Sequence, residues 1–579
     1  MPSYTQIPNP ELDSGSTPSS SLAPQNKKHH DSLRIYYLAA VVCTGGLLFG
    51  YDSGVIGGVL TFASFQHSFA YNSSNATLIS SISVGIQQAG ALAGCLLIWP
   101  LTNTLGRRKA LMLCSLVFCI GVLFEIVNSH SLLLFYIGRV ICGLGVGGSA
   151  TVSPIYLAEM APSHLRGRLG SGYQFTFTIG ILVSYWIDYF LQFMEEGPMQ
   201  WQIPLSLQLV PGLAMGVGML KMKESVRWLL DRGDESDAWR SLVWVRSSST
   251  STNDNSLEEV KAEFAEMKRA VTEDSAATKD FSARELLRRP NLHRIFLAVT
   301  LFVAQQATGA TAMAYFGPQF FSLLVGTGSG TETGSSAGTG EETGSNSLTL
   351  LLTGIFGFLK VTSCLFFVLF VADRYGRKPL LTYGALGMAL GMVMTSILLS
   401  FSPSSPTPSP LISTLTISLI YLSIALYNLS WGPLPWPCVA EYFPTRLRSP
   451  GVAIAVASQW ASNFVWSFAT PYILRDLGSG TFLLFGVFCL GIAAFVWRFV
   501  PETRGLTLEE VQHVFDGDTK GGHQDGGGGG DGGEADWEER EGLVRDDENI
   551  KQESNVFKLS LPSLTPNAIE KNDKTRPLR

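Results

Sequence analysis

"AEMAPSHLR" occupies Ala158–Arg166, and "AEYFPTRLR" occupies Ala440–Arg448, 282 positions further on. Both read Ala-Glu-x-x-Pro-x-x-Leu-Arg. The repeat has company. "LGRRK" (Leu105–Lys109) is answered by "YGRKP" (Tyr375–Pro379), and "KESVRWL" (Lys223–Leu229) by "PETRGLTLEE" (Pro501–Glu510). Matching Gly106 with Gly376, Glu159 with Glu441 and Glu224 with Glu502 gives offsets of 270, 282 and 278 residues. Three elements in one order at nearly one offset mean that a single long unit is used twice.

Between these polar elements the chain is apolar. Only 15% of its 579 residues are charged, 34 are Phe, and the mean hydropathy is +0.22. Twelve windows are apolar throughout: 35–60, 78–100, 109–127, 132–157, 169–190, 202–221, 293–323, 348–372, 379–401, 411–438, 449–474 and 479–500. An α-helix needs about 20 such residues to cross a hydrocarbon core. Helix is the expected form because lipid offers no partner to an open strand edge. A soluble protein has no use for twelve such windows in series. The expected fold is therefore an all-α membrane protein of twelve transmembrane helices in two parallel six-helix repeats. An even number of spans per half keeps both halves in one orientation, related by a pseudo-two-fold axis along the membrane normal.

The same pattern divides the chain. Residues 1–34 form a polar N-terminal tail, 35–221 and 293–511 the two bundles, 222–292 a cytoplasmic linker and 512–579 a low-complexity tail; 326–347, rich in Gly, Ser and Thr, is expected to be unstructured. No cleavable signal precedes the first span. Basic residues give the orientation. Counting from the N-terminus, the odd-numbered connections hold one, Arg475; the even ones hold Arg107, Arg108, Lys109, Arg166, Arg168, Arg374, Arg377, Lys378, Arg446, Arg448 and the basic stretch 221–294. Both termini are thus expected in the cytoplasm. Asn72-Ser73-Ser74 and Asn75-Ala76-Thr77 then lie outside, where Asn72 and Asn75 are candidate glycosylation sites. All eight cysteines fall inside spans and read as packing residues rather than a disulfide framework.

The repeated elements all face the cytoplasm. Arg166, Arg168, Arg446 and Arg448 can pair there with Glu159, Glu224, Glu441 and Glu502, with Arg227, Asp373, Arg374 and Arg377 in the same cluster. Such arginines can serve topology alone. Paired acids at fixed offsets favour a latch that ties inner helix ends together.

Two six-span halves, the Gly-Arg-Arg-type loops, "GYDSGVIGG" (Gly50–Gly58), "GRVICGLGVG" (Gly138–Gly147), "QQATG" (Gln305–Gly309), "WGPLPW" (Trp431–Trp436) and "PETRG" (Pro501–Gly505) together resemble the sugar porter family of the major facilitator superfamily, and within it the fungal hexose and quinate transporters. The resemblance covers residues 35–511. It departs from the family pattern at Thr311 and Val361, each where an Asn is usual, at Asn103-Thr104 in place of Asp-Arg, and at "KESVR", which lacks two prolines.

Ionisable residues within spans are costly and count as functional candidates. Asp52 and Arg139 each sit eight residues from the outer end of their spans, roughly 12 Å deep at 1.5 Å per residue. Opposite charges at one depth compensate each other, and protonating the Asp would end that attraction. The resemblance implies that this pair couples a proton; the alternative is a static ion pair. Asp52 in the middle of "GYDSG" argues against a simple glycine packing face. Lys360 lies near mid-membrane in span 8, where it either holds an anionic substrate such as a hydroxy-acid or pairs with a carboxylate or carbonyl. Glu125 is expected to reach the outer interface and is assigned no role.

A sugar offers hydroxyls on a ring with apolar faces, so its site wants neutral amides and a flat aromatic. Gln174, Gln305, Gln306 and Gln459 lie near mid-depth, and Trp436 ends the broken "WGPLPW" stretch. The resemblance places all five at sugar-contacting positions, with Thr311, Tyr315 and Asn463 beside them. Glutamines in membrane helices can instead bond between helices. "GLGVGG" (Gly143–Gly148) matches a dinucleotide fingerprint only formally, being inside a span, and reads as close helix packing. No phosphate loop, Cys/His metal cluster or nucleophile elbow appears, so an enzyme, a pump, a cofactor, a metal and a nucleic-acid partner are all set aside. The expected function is proton-coupled symport of a sugar or sugar-like solute by alternating access, in a monomer of the plasma membrane. The alternatives are a transporter-like nutrient sensor and a facilitator without proton coupling.

Overall fold

The computed structural model describes residues 33–70, 74–127, 130–162, 165–246, 254–278, 283–325, 339–372, 374–401, 410–504 and 515. Both expected tails, apart from residues 33, 34 and 515, Asn72, Asp373 and the side chains of Arg166, Arg168 and Arg446 lie outside the described residues. Every apolar window is helical. The twelve spans are Leu33–Val59, Ala76–Leu105, Arg107–Ile126, Leu132–Met160, Arg166–Leu191, Pro198–Leu220, then 289–325 in three pieces, Ser347–Val371, Arg377–Ser400, 410–441 in two pieces, Thr445–Leu477 and Gly480–Phe499. They are called spans 1–12 below.

Nine of them are long and apolar enough to cross a membrane by composition alone; spans 5, 7 and 11 are not among these. The physical reason is visible in their residues. These three carry Gln174, Gln305, Gln306, Gln459 and Asn463, polar groups that lower the average; Gln305, Gln306 and Asn463 are buried. Within the halves, span 1 packs on span 5, span 4 on spans 2 and 3, span 9 on spans 10 and 12, and span 7 on span 11. The two halves meet where span 2 lies against span 11 and span 5 against span 8.

Three spans are interrupted, each for a local reason. Span 7 stops at Ala307 and resumes at Ala310, across Gly309 with φ of +80°. That left-handed conformation suits glycine, and a side chain there would strike the Phe485 ring. Span 10 breaks between Leu429 and Pro435 over "SWGPL", since proline removes a donor from the helical ladder. Span 6 breaks at Leu207–Gln208. Span 8 keeps a short π-helix at Phe367–Val371. Its helix already begins at Thr339, so the second part of the Gly/Ser/Thr-rich segment is ordered, contrary to expectation. The linker folds as helices Val226–Asp231, Glu235–Arg246, Asp254–Thr278 and Ala283–Leu286.

The expectation about "GYDSG" is overturned. Gly46, Gly50, Gly54 and Gly58, spaced one turn apart, form a face on which span 5 rests. Added side chains would meet the Tyr173 and Phe177 carbonyls, Ser184 and Asp188. Asp52 interrupts the sequence but not the surface, because residues two apart lie on different sides of a helix. Gly143 and Gly147 likewise seat span 4 against span 2, while Gly145 and Gly148 face span 3. All eight cysteines are buried and unpaired.

Candidate functional site

In the N-terminal half a charged cluster is sealed from solvent. The Arg139 guanidinium donates to Asp52 Oδ1 at 2.9 Å and, through Nε, to the Ser83 carbonyl at 2.9 Å. Glu125 Oε1 stands 3.6 Å from the same guanidinium, and its second oxygen accepts from Gln208 at 3.3 Å. All three ionisable side chains have essentially no exposure. Glu125 therefore does not reach the outer interface as expected. Spans 3 and 4 approach closely at Gly121 and Gly138, and the missing side chain of Gly138 makes the room that Glu125 fills. Two carboxyls share one guanidinium, so the cluster is electrically balanced only when one of them carries a proton. Asp52 Oδ2 and one guanidinium nitrogen have no hydrogen-bond partner.

A neutral network occupies the middle of the bundle. Gln305 donates to the Trp431 and Gly432 carbonyls at 2.8 and 3.2 Å, using acceptors freed by the break in span 10. Gln459 donates to Gln305 at 3.1 Å. Asn463 donates to Gln88 at 3.1 Å, across the seam between halves, and to the Tyr315 hydroxyl at 3.2 Å. The Tyr315 hydroxyl also stands beside Ser53, the neighbour of Asp52. Thr311 is bonded to Tyr427. Contacts thus run from the Asn463 amide of span 11 through Tyr315 of span 7 to the residue beside the charged cluster. Four buried polar atoms here have no hydrogen-bond partner among the described residues: Gln306 Oε1, Gln459 Oε1, Gln87 Oε1 and Trp460 Nε1. Leaving such atoms unpaired costs free energy, and a polyhydroxylated solute presents the donors and acceptors that would pair them.

Aromatic rings border the network. Trp460 lies 5.3 Å from Phe49 and Phe49 lies 4.7 Å from Phe177. Trp436 stands edge-on to Phe302 at 5.1 Å. Gln174 is only partly buried on span 5, one turn before Phe177 and Thr178. Lys360 is 3% exposed on span 8, with Nζ between the rings of Phe177 and Phe356 at 5.9 and 5.8 Å. Sequence reasoning passed over Gln88, although it sits in "QQ" at mid-span like Gln305 and Gln306. It also passed over Asp188, which is buried in span 5 with both oxygens unpartnered.

At the helix ends that carry the duplicated elements the two halves repeat one arrangement. Glu224 accepts the backbone amides of Arg107 and Arg108 at 2.8 and 3.0 Å. Glu502 accepts those of Arg377 and Lys378 at 2.9 and 3.1 Å. Each carboxylate sits at a helix N-terminus, where free N–H groups and the helix dipole favour negative charge. Arg107 then reaches Glu159 at 2.9 Å, and Arg377 reaches Glu441 at 3.5 Å. Ser225 and Thr503 bond the same two acids. Gly106, with φ of +88°, leaves space for Glu224. Each clasp stays within its own half. The arginines that meet Glu159 and Glu441 are Arg107 and Arg377, while Arg448 turns to the Phe443 carbonyl and Arg227 to Asp274. Arg374 is exposed. Between spans 1 and 2, partly buried Asn75 donates to the Ala70 carbonyl at 3.2 Å.

The model of the "Sugar (and other) transporter" family matches residues 38–515. A quinate permease of Emericella nidulans is 34% identical over 491 residues, covering 83% of this chain and 89% of its own. A quinate permease of Neurospora terricola is 32% identical with the same coverage. The E. coli xylose transporter in a partially occluded inward-open conformation superposes with a TM-score of 0.66 at 26% identity, covering 82% of this chain and all of its own. A structure described as the proton:xylose symporter bound to a bromodeoxyglucose superposes with a TM-score of 0.65 at 27% identity, covering 83% and 99%.

Proposed function

From the premise that this chain belongs to the sugar porter family of the major facilitator superfamily, a family of multi-pass membrane transporters rather than enzymes, we propose that it is a proton-coupled symporter of a polyhydroxylated small molecule. A monosaccharide, a cyclic polyol or quinate fits that description. The solute is held among Gln305, Gln306, Gln459, Asn463, Thr311 and Tyr315, with Gln174 and Trp436 at the edge, and crosses by alternating access. Asp52 carries the proton, opposite Arg139. The protein works as a monomer in the plasma membrane, with both termini in the cytoplasm.

The observation that carries this reading is the continuous link between two kinds of chemistry. Asn463, itself one of the central amides, donates to Tyr315, Tyr315 touches Ser53, and Ser53 adjoins Asp52 in its bond to Arg139. Binding a solute to the amides redirects the Tyr315 hydroxyl, and that changes the surroundings of the carboxyl. Protonation in turn releases Arg139. The two events favour each other by simple linkage.

The test is uptake of labelled monosaccharides, polyols and quinate in a host lacking its own carriers, with and without a proton gradient. Accumulation above the outside concentration that collapses with the gradient is expected. Asp52→Asn should lose accumulation and keep exchange of the solute. Unchanged accumulation by that variant would refute the coupling role. Binding without any flux would identify a sensor instead.

A further inference from the structure

Lys360 has no part in the scheme above, yet its position is chemically unfinished. Its ammonium is buried at mid-membrane with no carboxylate or carbonyl bonded to it among the described residues, and its surroundings are two aromatic rings and the Cys364 thiol. Ring faces attract a cation but do not neutralise it. A buried charge is normally paired, because removal from water is costly. The charge also lies at the seam of the halves, where span 8 packs on span 5. Phe177 beneath it leads through Phe49 to Trp460, whose indole nitrogen is one of the unpaired central groups.

We propose that Lys360 is the specificity residue for a carboxylate on the transported solute, so that the preferred substrate is a hydroxylated ring bearing an acid group. This rests on the transport reading of the central amides. The amides and Tyr315 take the hydroxyls, the aromatic wall takes the ring, and the ammonium takes the carboxylate. A neutral sugar leaves the ammonium unpaired and binds more weakly. The pairing occurs where the halves meet, so the charge of the solute bears on the contact that must open and close.

The experiment compares quinate with its methyl ester, which keeps the ring and hydroxyls and loses the charge. Full-length protein in lipid nanodiscs is titrated by tryptophan fluorescence, and the same protein in proteoliposomes is assayed for flux. Wild type should bind the acid about thirty-fold or more tighter than the ester. Lys360→Met should remove that preference while holding ester affinity within about twofold, and Lys360→Arg should retain most of it. Equal affinity of wild type for acid and ester overturns the proposal, as does binding of neither. A Met variant that loses both probes equally shows a packing role and also overturns it. If the Met variant does not fold, the wild-type ratio and the Arg variant decide. Acid preference without flux would leave Lys360 in its role and sink the transport reading; flux without acid preference would do the reverse.

Discussion

The shared guanidinium makes a quantitative prediction. At an effective dielectric of about 20, a unit pair is worth about 6 kcal/mol at the 2.9 Å of Asp52–Arg139 and about 5 kcal/mol at the 3.6 Å of Glu125–Arg139. The two attractions are alike in size, and each is offset in part by the cost of burying its own carboxylate. Either neutral substitution therefore leaves Arg139 with one ionised partner. Asp52→Asn and Glu125→Gln should each destabilise the protein only modestly, by about 1 kcal/mol, the scale of a perturbed hydrogen bond. The double variant leaves a buried guanidinium with no carboxylate, a loss of about 3–5 kcal/mol when a buried pair is broken outright. Reversible unfolding in mixed micelles of the four proteins closes the cycle, and a coupling of about 1–3 kcal/mol is expected. Additivity of the two single effects to within about 0.5 kcal/mol would refute the idea that the carboxyls substitute for one another.

Four shorter tests follow from the same geometry. Asn463→Ala removes the donor to both Gln88 and Tyr315, so KM for the solute should rise about tenfold or more with little change in thermal stability; a fall in stability with unchanged KM would assign the network to folding alone. Glu224→Gln and Glu502→Gln each weaken one clasp, and each should cost about 1 kcal/mol in unfolding, with additive effects because the clasps share no partner. Gly50→Val pushes a side chain into the Phe177 carbonyl and should abolish surface expression, whereas Gly197→Ala, with open space around it, should behave as wild type. Removing the proton gradient should reduce Asp52→Asn uptake no further, which a side-by-side flux measurement in the two conditions checks directly.

The fold was legible because its signals are one-dimensional. Window length and hydropathy indicate how many helices there are, and the duplicated polar elements indicate how they are grouped. Depth can also be counted along a span, which is why the sequence alone pairs Asp52 with Arg139. Azimuth was harder to read. Glu125 looked peripheral by its distance from the span end, but its direction depends on two facing glycines in different helices. The four glycines of span 1 were misjudged for the converse reason: one aspartate broke the string of letters while lying on another side of the cylinder. The clasps were half read. Acids and arginines on one membrane face suggested ion pairs, but Glu224 and Glu502 spend most of their hydrogen bonds on backbone amides, which every sequence has and none displays.

The seam between the halves has a consequence of its own. Each half is fastened at the end carrying its duplicated elements by acids, arginines and amides that stay within that half. Across the seam the side-chain bonds seen among the described residues are neutral, such as Asn463 to Gln88 and Tyr185 to the Ala314 carbonyl, with Tyr315 beside Ser53. Neutral bonds of this kind contribute about 0.5–1.5 kcal/mol each, so two stiff blocks are hinged on fastenings that thermal agitation can undo one at a time. A joint of that kind separates at less cost than either fastened end, so the seam is where the two blocks part most readily.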